Sequence, residues 1–248
     1  MILSKAHRFI FIKGLKVGGT SVEIAFSSFC GPEDIITPIT PIDELKRVTI
    51  NGGARNYSEN STAEVAYLEN LCQRAMSDLP KIEPPPLIYF NHMPLREVLR
   101  LQGPAVFDYR VVCIERNPYA KIFSWANHML TFGSYQTGGQ MVSQRHELKR
   151  YLDEAIDNRS IVAVKNIDRY RGLDEAISAH VMRFEHLTED FRRFALKLGI
   201  DYRLDLPHAK KGILANGLDP RQLLGRHQIK VINELFNEEF KIFHYDPL

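Results

Sequence analysis

Four short apolar runs punctuate the chain, and stretches with helical periodicity separate them. Phe9-Ile10-Phe11-Ile12 is wholly apolar and β-prone, the pattern of a strand buried on both faces of a covered sheet. Residues 87–90, 110–114 and 181–184 read as three further strands. Val22, Ala25, Phe26 and Phe29 mark a helix stopped by Gly31-Pro32. Ser61-x-x-Glu64 has the form of a capping box ahead of Val65, Leu68, Leu71 and Ala75, a helix ended by Pro80 and Pro84-Pro85-Pro86. Pro118 suits the first turn of a helix carrying Ile122, Trp125, Ala126 and Met129. Helices over 148–156, 188–198 (stopped by Gly199) and 229–240 complete the set. Residues 32–60 and 133–146 lack periodicity and are expected to be irregular excursions. Strands alternating with helices predict an α/β fold: a single three-layer domain over residues 1–248, its central, mainly parallel sheet flanked by helices.

Composition leaves that picture standing and narrows the function. Apolar residues make up 44% of the chain, enough for a substantial core, which excludes disorder over most of its length. The 32 basic side chains nearly balance 30 acidic ones, so no general attraction to nucleic acid or to an anionic membrane is expected. Anion binding must come from local clusters. Cys30, Cys72 and Cys113 are odd in number and lack metal-ligand spacing, so neither a disulfide framework nor a metal site is expected, and Cys113 should be buried in its apolar run. No run is long enough for an integral membrane segment, and Lys5, Arg8 and Lys13 interrupt the first apolar residues. A reducing, cytoplasmic setting is expected.

Three apolar runs end in residues fit for chemistry: Lys16 to Ser21, Asn91-His92 and Glu115-Arg116. Ligands of an open parallel sheet bind beyond the carboxyl ends of its strands, so the three are expected to converge. Gly18 and Gly19 permit a tight turn and bring backbone N–H groups toward an anion. The helix starting near Thr20 adds its positive end, and Thr20 and Ser21 add hydroxyls. A glycine pair also serves ordinary tight turns; strand, lysine, Gly-Gly-Thr-Ser and amphipathic helix in that order favour phosphate binding. Gly14 to Thr20 has the spacing of a P-loop, but Thr20 stands where the NTPase lysine belongs and Lys16 lies ahead of it. The domain is therefore expected to be P-loop-like, with a departure where NTP hydrolysis is decided.

These residues carry a family resemblance. Phe9 to Ser21, with Lys16-Val-Gly-Gly-Thr-Ser21 at its end, resembles the 5′-phosphosulfate loop of the sulfotransferases, Pro-Lys-x-Gly-Gly-Thr-Ser. Arg116-Asn-Pro-Tyr-Ala-Lys-Ile-Phe-Ser124 is similar to their 3′-phosphate motif, Arg-Asn-Pro-x-x-Arg-x-x-Ser. Asn91-His92-Met-Pro resembles the Gly-His-x-x segment of the carbohydrate-type branch, residues 183–187 its Arg-Phe-Glu-x-Leu segment, and residues 206–211 its Pro-His-x-Asn-Lys-Ser loop. The matches run in order from residue 9 to about 211. Leu15, Lys121 and Asn91 depart from the pattern, standing for proline, arginine and glycine, and no Asn-Lys-Ser follows Pro207.

The resemblance implies transfer of a sulfuryl group from 3′-phosphoadenosine 5′-phosphosulfate (PAPS) to an acceptor hydroxyl, with a carbohydrate as the acceptor class of that branch. It implies that Arg116 and Ser124 bind the 3′-phosphate, that Lys16 and the N–H groups of Gly18, Gly19, Thr20 and Ser21 stabilise the leaving phosphate, and that His92 is the base. The residues alone leave the base open between His92, His128 and Glu115, since each can accept a proton near the expected ligand edge. They also leave open a P-loop-type kinase or NTPase with displaced lysine and a non-catalytic nucleotide-binding module. Tyr57, Tyr135, Gln136, Gln144 and Arg145 are candidates for an acceptor pocket, or ordinary surface.

Overall fold

The computed structural model describes residues 1–51, 53–136, 145–203, 206 and 219–248. The elements follow in chain order as β1 (Ile2–Ser4), β2 (Phe9–Ile12), α1 (Gly19–Ser27), β3 (Ile35–Ile36), α2 (Pro41–Asn51), α3 (Ser61–Gln73), α4 (Leu95–Gln102) and β4 (Arg110–Glu115). Then come α5 (Pro118–Gln136), α6 (Arg145–Asp157), α7 (Ile167–Tyr170), β5 (His180–Arg183), α8 (Leu187–Lys197), α9 (Arg226–Leu235) and α10 (Asn237–Ile242). The chain groups into two compact units, each assembled from three stretches: Met1–Gly14, Gly18–Ile114 and Asp168–Ala209 in the first, Leu15–Val17, Glu115–Ile167 and Lys210–Leu248 in the second. No single cut of the chain separates them.

The first unit holds an open, mixed sheet of order β3-β1-β2-β4-β5. β1 runs antiparallel to both β2 and β3, while β2 and β4 pair in parallel, so β2, β3 and β4 point the same way. Each residue of β2 is fully buried. Phe9 and Phe11 lie on one face and meet Phe26 of α1 at ring separations of 4.8 and 5.4 Å, and Phe191 of α8 adds a third ring 4.8 Å from Phe26. These offset and tilted rings account for the wholly apolar run. The second unit packs α5, α6, α9 and α10 around Phe123, Leu152, Ile156, Ile232 and Phe236. No helix of the described residues is long and apolar enough to cross a membrane.

Several expectations need correction. Residues 87–90 form no strand: the amides of Ile88 and Tyr89 both donate to the Tyr57 carbonyl, and Leu87 and Phe90 are exposed. Successive amides of a strand point to opposite sides, so two neighbouring amides that share one carbonyl cannot belong to a ladder. The 32–60 excursion contains β3 and α2; Thr40 Oγ1 donates to Asp43 Oδ2 across the first turn of α2. Within 133–146, α5 continues to Gln136 and α6 starts at Arg145, while 137–144 lie outside the described residues. The Ser61–Glu64 capping box does not form either. Asn60 caps α3 by accepting from the Ala63 amide, and the buried Glu64 carboxylate accepts from the backbone amides of Asn56, Tyr57 and Ser58. The helix consequently buries Tyr67 and Leu71 and exposes Val65. The last helix breaks at Phe236 into α9 and α10.

Glu64→Ala would orphan three amides at once, and a lost buried partner costs about 1–3 kcal/mol. Urea unfolding of this variant should show a loss at or above the upper end of that range, and Glu64→Gln a smaller one.

Candidate functional site

In the parallel pair, Ile12 faces Cys113, so the chain leaves β2 and β4 at the same edge of the sheet. The first residue beyond β2 is Lys13. Its buried ammonium lies 2.8 Å from Glu23 Oε2 on α1, and the other Glu23 oxygen accepts from the Met1 amino group at 2.6 Å. Burial works against the charge of Glu23, but Lys13 and the Met1 amino group hold its carboxyl well below the usual carboxylate range. Gly18 caps α1 with φ +77°, and a Cβ there would sit 2.8 Å from the Phe184 ring. A Cβ on Gly19 would sit 2.8 Å from Lys13 Cγ. Both glycines are thus demanded by the turn and its neighbours, whatever else they approach.

His92 also belongs to this first unit. Although no strand precedes it, it meets the end of β2: its Nδ1 lies 3.0 Å from the Lys13 carbonyl oxygen. Burial, and then the Lys13 charge, push the imidazole down to about 3, so the ring is neutral at physiological pH. Lys16 and His92 both take left-handed backbone angles, φ 60° and 64°. Side chains with a Cβ rarely adopt that region, but Arg8, Asn56, Arg159, Glu175 and His244 share it, so the angle alone does not mark a site.

The second unit holds Lys16 and Arg116 together. The Arg116 guanidinium Nη1 donates to the Lys16 carbonyl at 3.4 Å. Asn166 clamps the preceding residue with both ends of its amide: Oδ1 accepts from Leu15 N at 2.7 Å and Nδ2 donates to Leu15 O at 3.1 Å. Sequence reasoning missed Asn166, since nothing in its surroundings marks a residue that acts 151 positions away. Beneath it lies a buried charge network. Lys121 Nζ lies 2.7 Å from both Glu115 Oε1 and Glu239 Oε2, while Glu239 Oε1 accepts from the Asn166 backbone N–H at 2.6 Å. Glu115 accepts further from the Arg116 backbone N–H at 2.8 Å.

These contacts sort the candidates. Glu115 takes the Arg116 backbone N–H and the Lys121 ammonium. Burial pushes its carboxyl up, Lys121 opposing and Glu239 adding to the rise. Sealed in this network, it is a poor candidate for the base or for holding a metal. Lys121, at the position of a motif arginine, is wholly buried as a structural cation. Ser124 is half-buried on α5, and no hydrogen bond joins it to Arg116 among the described residues. His128, on the same helix, lies edge-on to Phe132 with ring centroids 5.1 Å apart. Tyr57 is fully buried and does not line an acceptor pocket; Arg145 is exposed and donates to the Gln222 carbonyl. Residues 207–211, Gln144 and the side chains of Tyr135 and Gln136 lie outside the described residues. Cys113 is buried, as its apolar run implies. Compared with family models, curated proteins and solved structures, the chain matches none.

Lys121→Met should destabilise the fold by about 3–5 kcal/mol, because it strands two buried carboxylates without their cation. Thermal and urea unfolding check this. The neutral His92 gives a second expectation. With the folded value depressed, its contribution is complete above pH 6.5 and is lost as pH falls from there toward about 3. His92→Gln should therefore flatten the acid side of the stability–pH curve, by up to about 1.4 kcal/mol per pH unit.

Proposed function

We propose that the chain is a sulfotransferase, moving a sulfuryl group from PAPS to the hydroxyl of a carbohydrate-type acceptor on a three-layer, P-loop-like domain in the cytoplasm. The observation that carries this reading is the guanidinium of Arg116 resting on the carbonyl of Lys16. Two sequence stretches 100 residues apart, each resembling one phosphate motif, meet there. The residues present fit a bisphosphorylated nucleotide. A planar guanidinium binds phosphate bidentately, and the start of α1 lacks a side-chain cap where an anion would serve. PAPS supplies an activated sulfuryl group and a phosphate that leaves with the electrons of the broken S–O bond.

The chain's own residues do the rest. Arg116, with Ser124, holds the 3′-phosphate. Lys16 and the N–H groups of Gly18 to Ser21 meet the negative charge that grows on the leaving oxygen, where fixed donors act most strongly. His92 takes the acceptor's hydroxyl proton on Nε2, the nitrogen turned away from the Lys13 carbonyl. The rival Mg²⁺-dependent NTPase reading would draw on Glu115 as metal-holding acid, and Lys121 already engages that carboxylate.

Radiolabelled sulfate transfer from PAPS across an acceptor panel tests the proposal. Lys16→Met should lower kcat by about 10²- to 10³-fold with donor affinity little changed. Arg116→Ala should weaken binding of adenosine 3′,5′-bisphosphate by about 10- to 100-fold in calorimetry. Tight bisphosphate binding without transfer to any acceptor would instead identify a non-catalytic module, and near-normal turnover by Lys16→Met would remove its assigned role.

A further inference from the structure

Lys13 touches three parts of the candidate site within the first unit. Its carbonyl oxygen lies 3.0 Å from His92 Nδ1, its ammonium lies 2.8 Å from Glu23 on α1, and its methylene chain fills the space beside Gly19. A carbonyl oxygen only accepts hydrogen bonds, so the imidazole nitrogen facing it carries the proton. The neutral ring then holds its lone pair on Nε2, the form that a proton acceptor needs. The contact also supports a ring whose backbone is held at φ 64°.

We propose that Lys13 is a positioning residue for His92, taken as the base of the proposed sulfuryl transfer: its carbonyl selects the tautomer with a bare Nε2, and its ammonium, anchored by Glu23, adds a fixed buried charge on the same residue. Burial does most to keep the ring neutral; among charged groups the Lys13 ammonium adds to it, the Met1 amino group, itself lowered to about 6 by burial, adds less, and the Glu23 carboxylate opposes them. Glu23 is shared between both cations and lies one turn into α1, so the glycine turn and the base hang from the same buried ion pair. A sequence motif for this arrangement is absent, because Lys13 reads as an ordinary residue between a strand and a loop.

The test is a ring ¹⁵N and ¹³C NMR titration of His92 in the full chain, with the resonance assigned through His92→Gln, beside the pH profile of sulfuryl transfer. The wild-type ring should be the Nδ1–H tautomer and stay neutral far below an ordinary histidine. Lys13→Met should raise its pKa by about one unit and move the acid limb of kcat/KM upward with it, whereas Lys13→Arg should leave both in place. A purely structural lysine would change stability alone. An unmoved His92 titration in folded Lys13→Met, or an Nε2–H tautomer in the wild type, overturns the proposal. If the Met variant does not fold, Lys13→Gln, which keeps a polar end for Glu23, decides by the same shift. The expected shifts in a protein that transfers no sulfuryl group support the Lys13 link and sink the sulfotransferase reading.

Discussion

Parallel pairing of β2 with β4 governs much else in this chain. Two strands that run the same way must deliver their following residues to one edge, and the register of Ile12 against Cys113 leaves little slack. Had the pair been antiparallel, the glycine turn and the Glu115-Arg116 step would have emerged at opposite edges. The pairing alone does not fix the side chains. That falls to a small number of buried polar contacts just past the strand ends: Lys13 with Glu23 in the first unit, Asn166 with Leu15 in the second.

Both anchors rest on charges taken out of water, which is costly unless geometry and extra hydrogen bonds compensate. Glu23 serves the Lys13 ammonium and the Met1 amino group, while Lys121 lies between two carboxyl groups. The surplus carboxylate charge around Lys121 is met by backbone N–H groups of Arg116 and Asn166, so the network reaches directly into the segments that hold Arg116 and Leu15. Apolar replacements of similar volume would often match such networks in stability. Their value here lies in direction: a carboxylate accepts only along its lone pairs, and a packed methyl group has no such demand.

Legibility of the sequence followed the range of the signal. The run 9–12, and 112–114 within the strand expected over 110–114, were readable because burial on both faces leaves no polar position in the pattern. The helix over 61–73 was readable in its start but neither in its end, which falls short of Ala75 and Pro80, nor in its facing, since Glu64 looked like half of a local cap and instead satisfies three amides upstream of the helix. At 41–51 the prolines read as breakers, yet Pro41 sits at the helix start, where its missing N–H costs nothing, and Asp43 and Glu44 follow in the first turn. The run at 87–90 failed in the other direction: apolar content was right, but no neighbouring ladder exists for it. Within the candidate site, the Lys16–Arg116 contact followed from motif order and strand polarity. The Lys13–His92 and Asn166–Leu15 contacts did not, because in each a side chain meets a backbone group far away in the chain, and backbone groups leave no mark in a sequence pattern.

Leu15–Val17 belong to the second unit although they are flanked on both sides by the first. Leu15 is clamped from 151 residues downstream, and the clamp leans on Glu239 through the Asn166 amide. Contacts of such separation form late in folding, since loop closure must be met before they give anything back. During synthesis residues 15–17 therefore emerge from the ribosome long before Asn166 and Glu239, the residues that hold them.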